Sequence, residues 1–421
     1  MKTPIFTAKV THTEHDPALL TVQQAQAHIL DSIIPVTDQE TLPIREALQR
    51  ILAETIYSPI NVPPYDNSAM DGYAVRSTDL PANGMTSLNL IGTSWAGRPY
   101  NGSVGAQECV RIMTGAKMPA GADTVIMQEQ VQSTNAGIVI STGHQGGQHV
   151  RHAGDDIQQG NNVLAVGKKI GAAELGLLAS LGISHIKVTR RVRVAFFSTG
   201  DELRSVGEPL ADGQIYDSNR YTLFGMLQQA GVDFTDMGVV RDQPEAIEQA
   251  LITAAKHAEV ILTSGGVSVG DADFVKDALD KLGKVNFWRI AMKPGKPLAV
   301  GKIGNAAFFG LPGNPVSVMS TFYQFVLPAL RKMSGQDNHT PLVVRAISKS
   351  RIKKSPGRTD FQRGILFSEN GTLHVDATGM QASHILSGMS RANCFIILAQ
   401  NAGDVEAGSE IEVQPFADFW S

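Results

Sequence analysis

The residues best suited to chemistry sit in glycine-rich loops, beginning with T-S-G-G-V-S-V-G-D-A-D at 263–273. Two chemistries compete for it. G-V-S-V-G at 266–270 fits the nucleophile elbow G-x-S-x-G, in which a serine on a sharp strand-to-helix turn attacks a carbonyl. The same stretch fits a loop whose glycines let backbone N–H groups cradle an anion at a helix N-terminus. Spacing favours the cradle. The strand E-V-I-L-T ends at Thr263, and Ser264, Gly265, Gly266 and Val267 intervene before Ser268. An elbow also needs a histidine downstream, and His339, His374 and His384 lie beyond the α/β segment described below. In the cradle, Ser264 and Ser268 add hydroxyl donors. Asp271 reads as a helix N-cap. Asp273 reads as functional, because a carboxylate beside an anion is reasonable when a divalent cation bridges it to phosphate.

Four further loops carry the same signature at strand ends. F-S-T-G-D-E-L (197–203) brings small residues and two acids. Arg241 and Asp242 follow the strand M-G-V-V. R-I-A-M-K-P-G-K-P (289–297) sets Arg289, Lys293 and Lys296 around a Pro-Gly turn. L-P-G-N-P-V-S (311–317) is a rigid turn opening a long helix. Each loop alone has a plain reading, as a cap or a solvated lysine. Five at the strand ends of one sheet point to a shared pocket for a phosphorylated, strongly anionic ligand with a divalent metal.

The elements that must position these loops alternate strand and helix across 191–337. Strands are expected at V-R-V-A-F-F, V-D-F-T-D-M-G-V-V, E-V-I-L-T, V-N-F-W-R-I and A-A-F-F-G. Helices are expected from 220 to Gly231, at 244–256, at F-V-K-D-A-L-D-K-L and after L-P-G-N-P. That pattern predicts a doubly wound, parallel α/β sheet, whose ligands sit at the strand carboxyl ends where the strand order reverses. Before it, residues 17–54 carry a helical stripe (Leu20, Val22, Ala25, Ile29, Ile33), and I-R-E-A-L-Q-R-I-L-A-E at 44–54 repeats the habit. Residues 85–150 hold short β-like runs between glycines. A helix at 172–181 stops at Gly182. Residues 338–421 alternate apolar and polar without helical periodicity, as in a small β-barrel.

Length and composition fit that organisation. The 421 residues are enough for two to four domains, and 43% hydrophobic content supplies their cores. A net charge of −4 disfavours a general nucleic-acid binder. The basic pairs Arg190-Arg191 and Lys353-Lys354 read as solvated edges. Cys109 and Cys394 form neither a disulfide framework nor a zinc-ligand spacing, which suits a reducing compartment. The N-terminus lacks a signal-peptide h-region, and no apolar run is long enough to span a bilayer. A cytoplasmic protein without membrane or nucleic-acid partners is the expectation.

At this point the loops resemble a known family. S-G-G-V-S-V-G-D-A-D, L-P-G-N-P-V-S and F-S-T-G-D-E-L look like the molybdopterin-binding domain of molybdenum cofactor biosynthesis proteins. D-N-S-A-M-D-G-Y-A-V (66–75), R-I-M-T-G-A (111–116) and G-D-D-I (154–157) narrow the resemblance to the MoeA family. Gephyrin and plant Cnx E-type proteins carry a similar module. The resemblance runs from about 17 to 420. It implies a discontinuous elongated dimerisation domain at 1–54 and 150–190 and an inserted β-rich domain at 55–149. An α/β molybdopterin-binding domain at 191–337 and a C-terminal β-barrel at 338–421 complete it. The implied molecule is a homodimer whose second subunit completes the active site. The implied reaction, the final step of molybdenum cofactor biosynthesis, takes adenylylated molybdopterin and molybdate and releases AMP, with Mg2+ required. A MogA-like adenylyltransferase partner is implied as the source of the adenylylated substrate.

Carried over by position, Asp242 and Asp273 match family acids near the adenylate and magnesium, and Glu202 matches the acid of the T-G-D-E loop. The anion pocket is implied to be lined by Ser264, Gly265, Gly266, Ser268, Lys293, Lys296, Pro297, Pro312, Asn314, Pro315 and Ser317. Arg363 and Ser383 correspond to barrel residues facing it, where an Arg fork suits a tetrahedral dianion. Asp71, Thr114 and Asp156 match functional positions outside the α/β domain and are implied to serve the neighbouring subunit, although D-G-Y-A also reads as a tight interface turn. Arg289 stands where the family pattern favours Lys.

Overall fold

The computed structural model describes residues 19–135, 137–265, 274–336 and 341–417. Its central sheet has six strands in the order Asp233–Val240, Arg193–Thr199, Val260–Ser264, Ala306–Leu311, Pro297–Ile303, Gly283–Arg289. The first four are mutually parallel, and the last two join as antiparallel neighbours. The sheet is therefore mixed at one edge. Pro297–Ile303 is a strand the sequence pattern did not pick out, because Pro297 and Gly301 punctuate an apolar run that then turns back through Gly304-Asn305. Gly304 (φ +57°) begins that two-residue hairpin turn, a position that glycine takes readily.

Helices cover both faces. Ser218–Ala230 starts at the N-cap Asp217, whose carboxylate accepts from Arg220 N at 3.1 Å, and stops at left-handed Gly231. A cap of this kind contributes about 1 kcal/mol. Pro244–His257 opens with proline at its first turn. Pro315–Thr321 runs through a π-turn at Phe322–Val326 into Leu327–Met333 as one continuous helix.

The N-terminal helix spans Val22–Ser32 with a Thr21/Gln24 capping box, and buries Val22, Ala25 and Ile29. These residues share one core with the sheet's Val194, Phe196 and Phe309, the long helix's Phe322 and Phe325, and the barrel's Phe361 and Phe395. The expected helix at 44–54 is not formed. Gln39–Pro43 is a strand antiparallel to His185–Thr189, followed by a single 3-10 turn and left-handed Gln49. Ala47, Leu52 and Ile56 spend their apolar side chains on a core shared with Leu164, Ile170, Leu178 and Val188. Tertiary packing overrides the helical spacing there. Residues 72–141 contribute a six-stranded β-sheet with its own core.

At the C-terminus, Val344–Ser348, Thr359–Glu369, Thr372–Ala377, Cys394–Leu398 and Glu410–Pro415 close into a five-stranded barrel, as expected. No helix among the described residues is long and apolar enough to cross a membrane. Two sequence expectations about cations are corrected. Lys354 is buried and pairs with Asp360, and Arg190 is largely enclosed in bonds to Glu259, so neither basic pair is a freely solvated edge. Cys109 and Cys394 are free and buried, and burial pushes both thiols up to about 12.

Candidate functional site at the strand carboxyl ends

Strand order reverses at Arg193–Thr199. The chain leaves it for Asp233–Val240 on one side and returns to Val260–Ser264 on the other. The crevice expected at such a reversal lies between Thr199-Gly200 and Ser264-Gly265. The two loops touch closely. Gly265 has φ +89°, and a Cβ there would sit 2.6 Å from the Thr199 carbonyl oxygen, so only glycine fits. Gly265 N donates to Leu311 O at 3.2 Å, tying in the third loop. Gly266, Ser268, Asp271 and Asp273, like His339, lie outside the described residues.

On one side of the crevice carboxylates gather. Burial first, and then the charges of Asp201 and Glu202, raise the Asp242 pKa above its ordinary value. The loops after two adjacent strands thus bring Glu202 and Asp242 into one electrostatic field. On the other side are cations and a helix start. Arg289 pairs with Pro297 across the antiparallel edge, and its side chain is exposed. Ile290 N donates to Lys296 O at 2.8 Å, closing the loop around a cis Lys293-Pro294 bond. Met292-Lys293 add a short strand to the barrel at Thr359-Asp360, and Lys293 Nζ lies 3.9 Å from the buried Asp360 carboxylate. The loop therefore binds the sheet to the barrel.

Pro312 is buried, and Asn314 sits at the N-cap of the long helix without a side-chain capping bond. Ser317 is buried within its first turn. Val316 N donates to Ser383 O at 3.1 Å, so the barrel segment 380–385 closes over that turn. Arg363 is fully buried beside this segment. Its Nη2 donates to Met380 O at 2.7 Å and Ala382 O at 3.3 Å, while Nε and Nη1 have no partner among the described residues. Burial lowers its pKa from the usual arginine value, yet guanidinium remains charged at any physiological pH. A buried cation with two unused donors is arranged for an oxyanion.

Sequence reasoning did not single out Asn219. Its Nδ2 donates to Ser264 Oγ at 2.8 Å and to Gly313 O at 2.7 Å, bridging two of the loops, while its Oδ1 is buried without a partner among the described residues. The hydroxyls of Ser198, Thr199 and Thr263 on neighbouring strand ends are likewise buried and unpartnered among the described residues. The only signal in the sequence was the capping tripeptide D-S-N at 217–219, which reads as a helix start.

Asp71, Thr114 and Asp156 belong to another part of the chain. Asp71 Oδ1 accepts from Thr114 N and from Thr114 Oγ1, both at 2.7 Å, at the edge of the 72–141 sheet. The backbone bond first, then the hydroxyl bond, hold the Asp71 carboxyl below its ordinary value. Asp156 is exposed in the segment where its backbone N donates to Val62 O. Elsewhere, a cleft of about 570 Å³, counting space open to solvent, runs along residues 49–51, 189–192 and 327–336. It lies at the opposite end of the sheet. Of its arginines, Arg50 already bonds to Glu40, and Arg190 to Asp38 and Glu259.

A multidomain protein whose parallel strands end in a crevice of crowded carboxylates, with a β-barrel joined to the neighbouring strand-end loops, is a recognisable class. Three family models cover it in order: the MoeA N-terminal region (domain I and II) at residues 20–182, a probable molybdopterin binding domain at 195–332, and the MoeA C-terminal region (domain IV) at 345–416. A molybdopterin molybdenumtransferase of Haemophilus influenzae is 47% identical over 94% of this chain and 99% of its own length. Gephyrin of Dictyostelium discoideum is 35% identical, over 93% of this chain and 61% of its own. A solved structure of a molybdopterin biosynthesis MoeA protein from Pyrococcus horikoshii matches with a TM-score of 0.79 at 32% identity, covering 95% of this chain and 99% of that one. The chain belongs to the MoeA family.

Proposed function

We propose that this protein is a molybdopterin molybdenumtransferase, which inserts molybdate into adenylylated molybdopterin and releases AMP. The observations that support it best are crowded carboxylates at the strand-end crevice and, in the barrel segment packed on the first turn of the long helix, a buried cation with unused donors. Arg363 offers Nε and Nη1 to a tetrahedral dianion beside the first turn of the long helix. The carboxylates suit acid–base work as oxo groups of molybdate are exchanged for dithiolene sulfurs. Asp242, its pKa raised, is the group best able to hold a proton there. Lys293 and Lys296 supply positive charge to the phosphoryl oxygens.

Magnesium fits this donor set. Among the described residues no group of three or more His, Cys, Asp or Glu is arranged to hold a metal. Magnesium usually takes one or two carboxylates and completes its shell with water and substrate oxygens. Asp242 would hold it together with Asp273, and a cation would offset the charges of Asp201 and Glu202, which after burial raise the Asp242 pKa. When bound, the ion supplies charge neutralisation for the pyrophosphate. In this reading the protein is a cytoplasmic homodimer. Asp71, Thr114 and Asp156 of one subunit complete the site of the other, and a MogA-like adenylyltransferase delivers the substrate.

The test supplies purified protein with adenylylated molybdopterin, molybdate and Mg2+. AMP release that depends on both ions is the expected result. Tight binding without AMP release would replace the transferase with a carrier. A fluorophosphonate that labels the protein, but not Ser268→Ala, would revive the hydrolase reading of G-V-S-V-G. Sedimentation of a monomer at micromolar concentration would remove the shared site.

A further inference from the structure

We propose that Asn219 is a positioning residue that sets the Ser264 hydroxyl as a donor to the substrate's oxyanion and fixes the spacing of two ligand loops. The proposal rests on the transferase reading above. The geometry that carries it is the double donation from one amide. Nδ2 reaches Ser264 Oγ at 2.8 Å and Gly313 O at 2.7 Å. An amide nitrogen has two hydrogens, so both are used. A hydroxyl that accepts such a bond keeps its own single hydrogen for another acceptor. Ser264 is buried at a strand end, beside Gly265, where the crevice begins. The hydrogen left on Ser264 therefore belongs to whatever acceptor enters the crevice, and an anionic oxygen is the strongest one available.

The second hydrogen acts on a different loop. Gly313 lies between Pro312 and Asn314, immediately before the helix whose first turn faces Ser383. Holding its carbonyl fixes the pitch of that turn against the Ser264 loop. Asn219 itself is fixed by the helix N-terminus that Asp217 caps. Its Oδ1 is buried with no partner among the described residues, which leaves an acceptor for an N–H group of the ligand. A pterin ring carries such N–H groups along one edge, so this atom also favours a ligand that presents both donors and an anion.

Four measurements test the proposal. In Asn219→Ala, kcat/KM for adenylylated molybdopterin at saturating molybdate should fall about tenfold, mostly through KM, as expected for the loss of a bond to a charged group present throughout the reaction. Asn219→Asp should fall further, because a carboxylate draws the Ser264 hydrogen to itself and repels the Gly313 carbonyl. Ser264→Ala combined with Asn219→Ala should be no worse than the poorer single variant to within about twofold, since residues that act through one another are not additive. Amide exchange across 311–317, followed by mass spectrometry on the intact protein, should quicken in Asn219→Ala. Multiplicative losses in the double variant, Asn219→Asp equal to wild type, or unchanged exchange across 311–317 would each overturn the proposal. Failure of the unsubstituted protein to release AMP would sink the transferase reading instead, and the exchange measurement would still judge the clamp.

Discussion

The two ends of the parallel sheet are built on opposite rules. At the strand starts, Glu259 is buried and every demand on it is met. It accepts from Arg193 N at 2.7 Å, from Arg193 Nε at 2.9 Å and from Arg190 Nη2 at 3.3 Å. Burial pushes its carboxyl up, but the Arg193 and Arg190 bonds outweigh burial and hold it below the ordinary value. At the strand carboxyl ends, Asp242 is raised instead, and the hydroxyls of Ser198, Thr199 and Thr263 lack partners among the described residues; in the adjoining barrel, Arg363 keeps two donors unused among them. At the strand starts the Glu259 carboxylate is matched by protein donors, although Arg191 Nε there is buried without a partner among the described residues. At the carboxyl ends several buried hydroxyls lack such partners, as the proposed ligand site requires.

The comparison can be broken most forcefully at Asp242. Asp242→Asn should lower the rate of AMP release by about 10²–10⁴, the range for an acid–base group. It should also leave the ligand-free protein at least as heat-stable as wild type at pH 7, because a carboxylate with a raised pKa is a net cost above that pKa. Normal activity, or a large fall in Tm, would place Asp242 with Glu259 rather than opposite it. Glu259→Ala should do the reverse. Urea unfolding should show a loss of about 2–3 kcal/mol, less than the 3–5 kcal/mol of a fully enclosed pair, because Arg193 is 38% exposed. Its activity per folded molecule should be unchanged.

The pH dependence sharpens the same contrast. The Glu259 carboxyl is depressed in the fold, so its stabilisation is complete above the unfolded glutamate pKa of about 4.3 and is lost as pH falls through the lower folded value. Wild type and Glu259→Gln should therefore converge in Tm below about pH 4 and separate above it. A constant gap would show that the carboxylate charge contributes nothing. The smallest effect is expected at Thr263→Val. Removing an unsatisfied hydroxyl should leave the free protein equally stable, or more stable by up to about 1 kcal/mol. Destabilisation in urea would show that the hydroxyl already has a partner.

Much of this contrast was legible in the sequence, and the part that was not has a physical cause. Strand–helix alternation gave the sheet, because runs such as V-R-V-A-F-F and stops such as Gly231 act locally. The barrel was legible through period-2 alternation, as in L-H-V-D-A. The helix expected at 44–54 was not formed, because Ala47, Leu52 and Ile56 had better apolar partners, Leu164 to Val188, more than 100 residues away, a fact invisible to local periodicity. Asn219 was missed for the same reason in polar form. Its partners, Ser264 and Gly313, are 45 and 94 residues distant, and only the fold brings them to one amide. The glycine-rich loops were found because glycine marks a backbone requirement at its own position. Gly265, pressed against Thr199 O, is the clearest case.

The continuous helix from Pro315 to Met333 also has a mechanical consequence. Its π-turn carries Gln324, which bonds to Gln414 of the barrel and accepts at its carbonyl from Gln26 of the N-terminal helix. Its last turn sends Lys332 Nζ to Leu30 O at 2.6 Å. Its first turn meets the barrel at Ser383. One rod thus has its tip at the proposed anion site and its shaft anchored in two other parts of the molecule. In the proposed reading, a displacement at the tip is passed along this anchored shaft, so strain from a bound anion would register as a movement of the barrel and the N-terminal helix together.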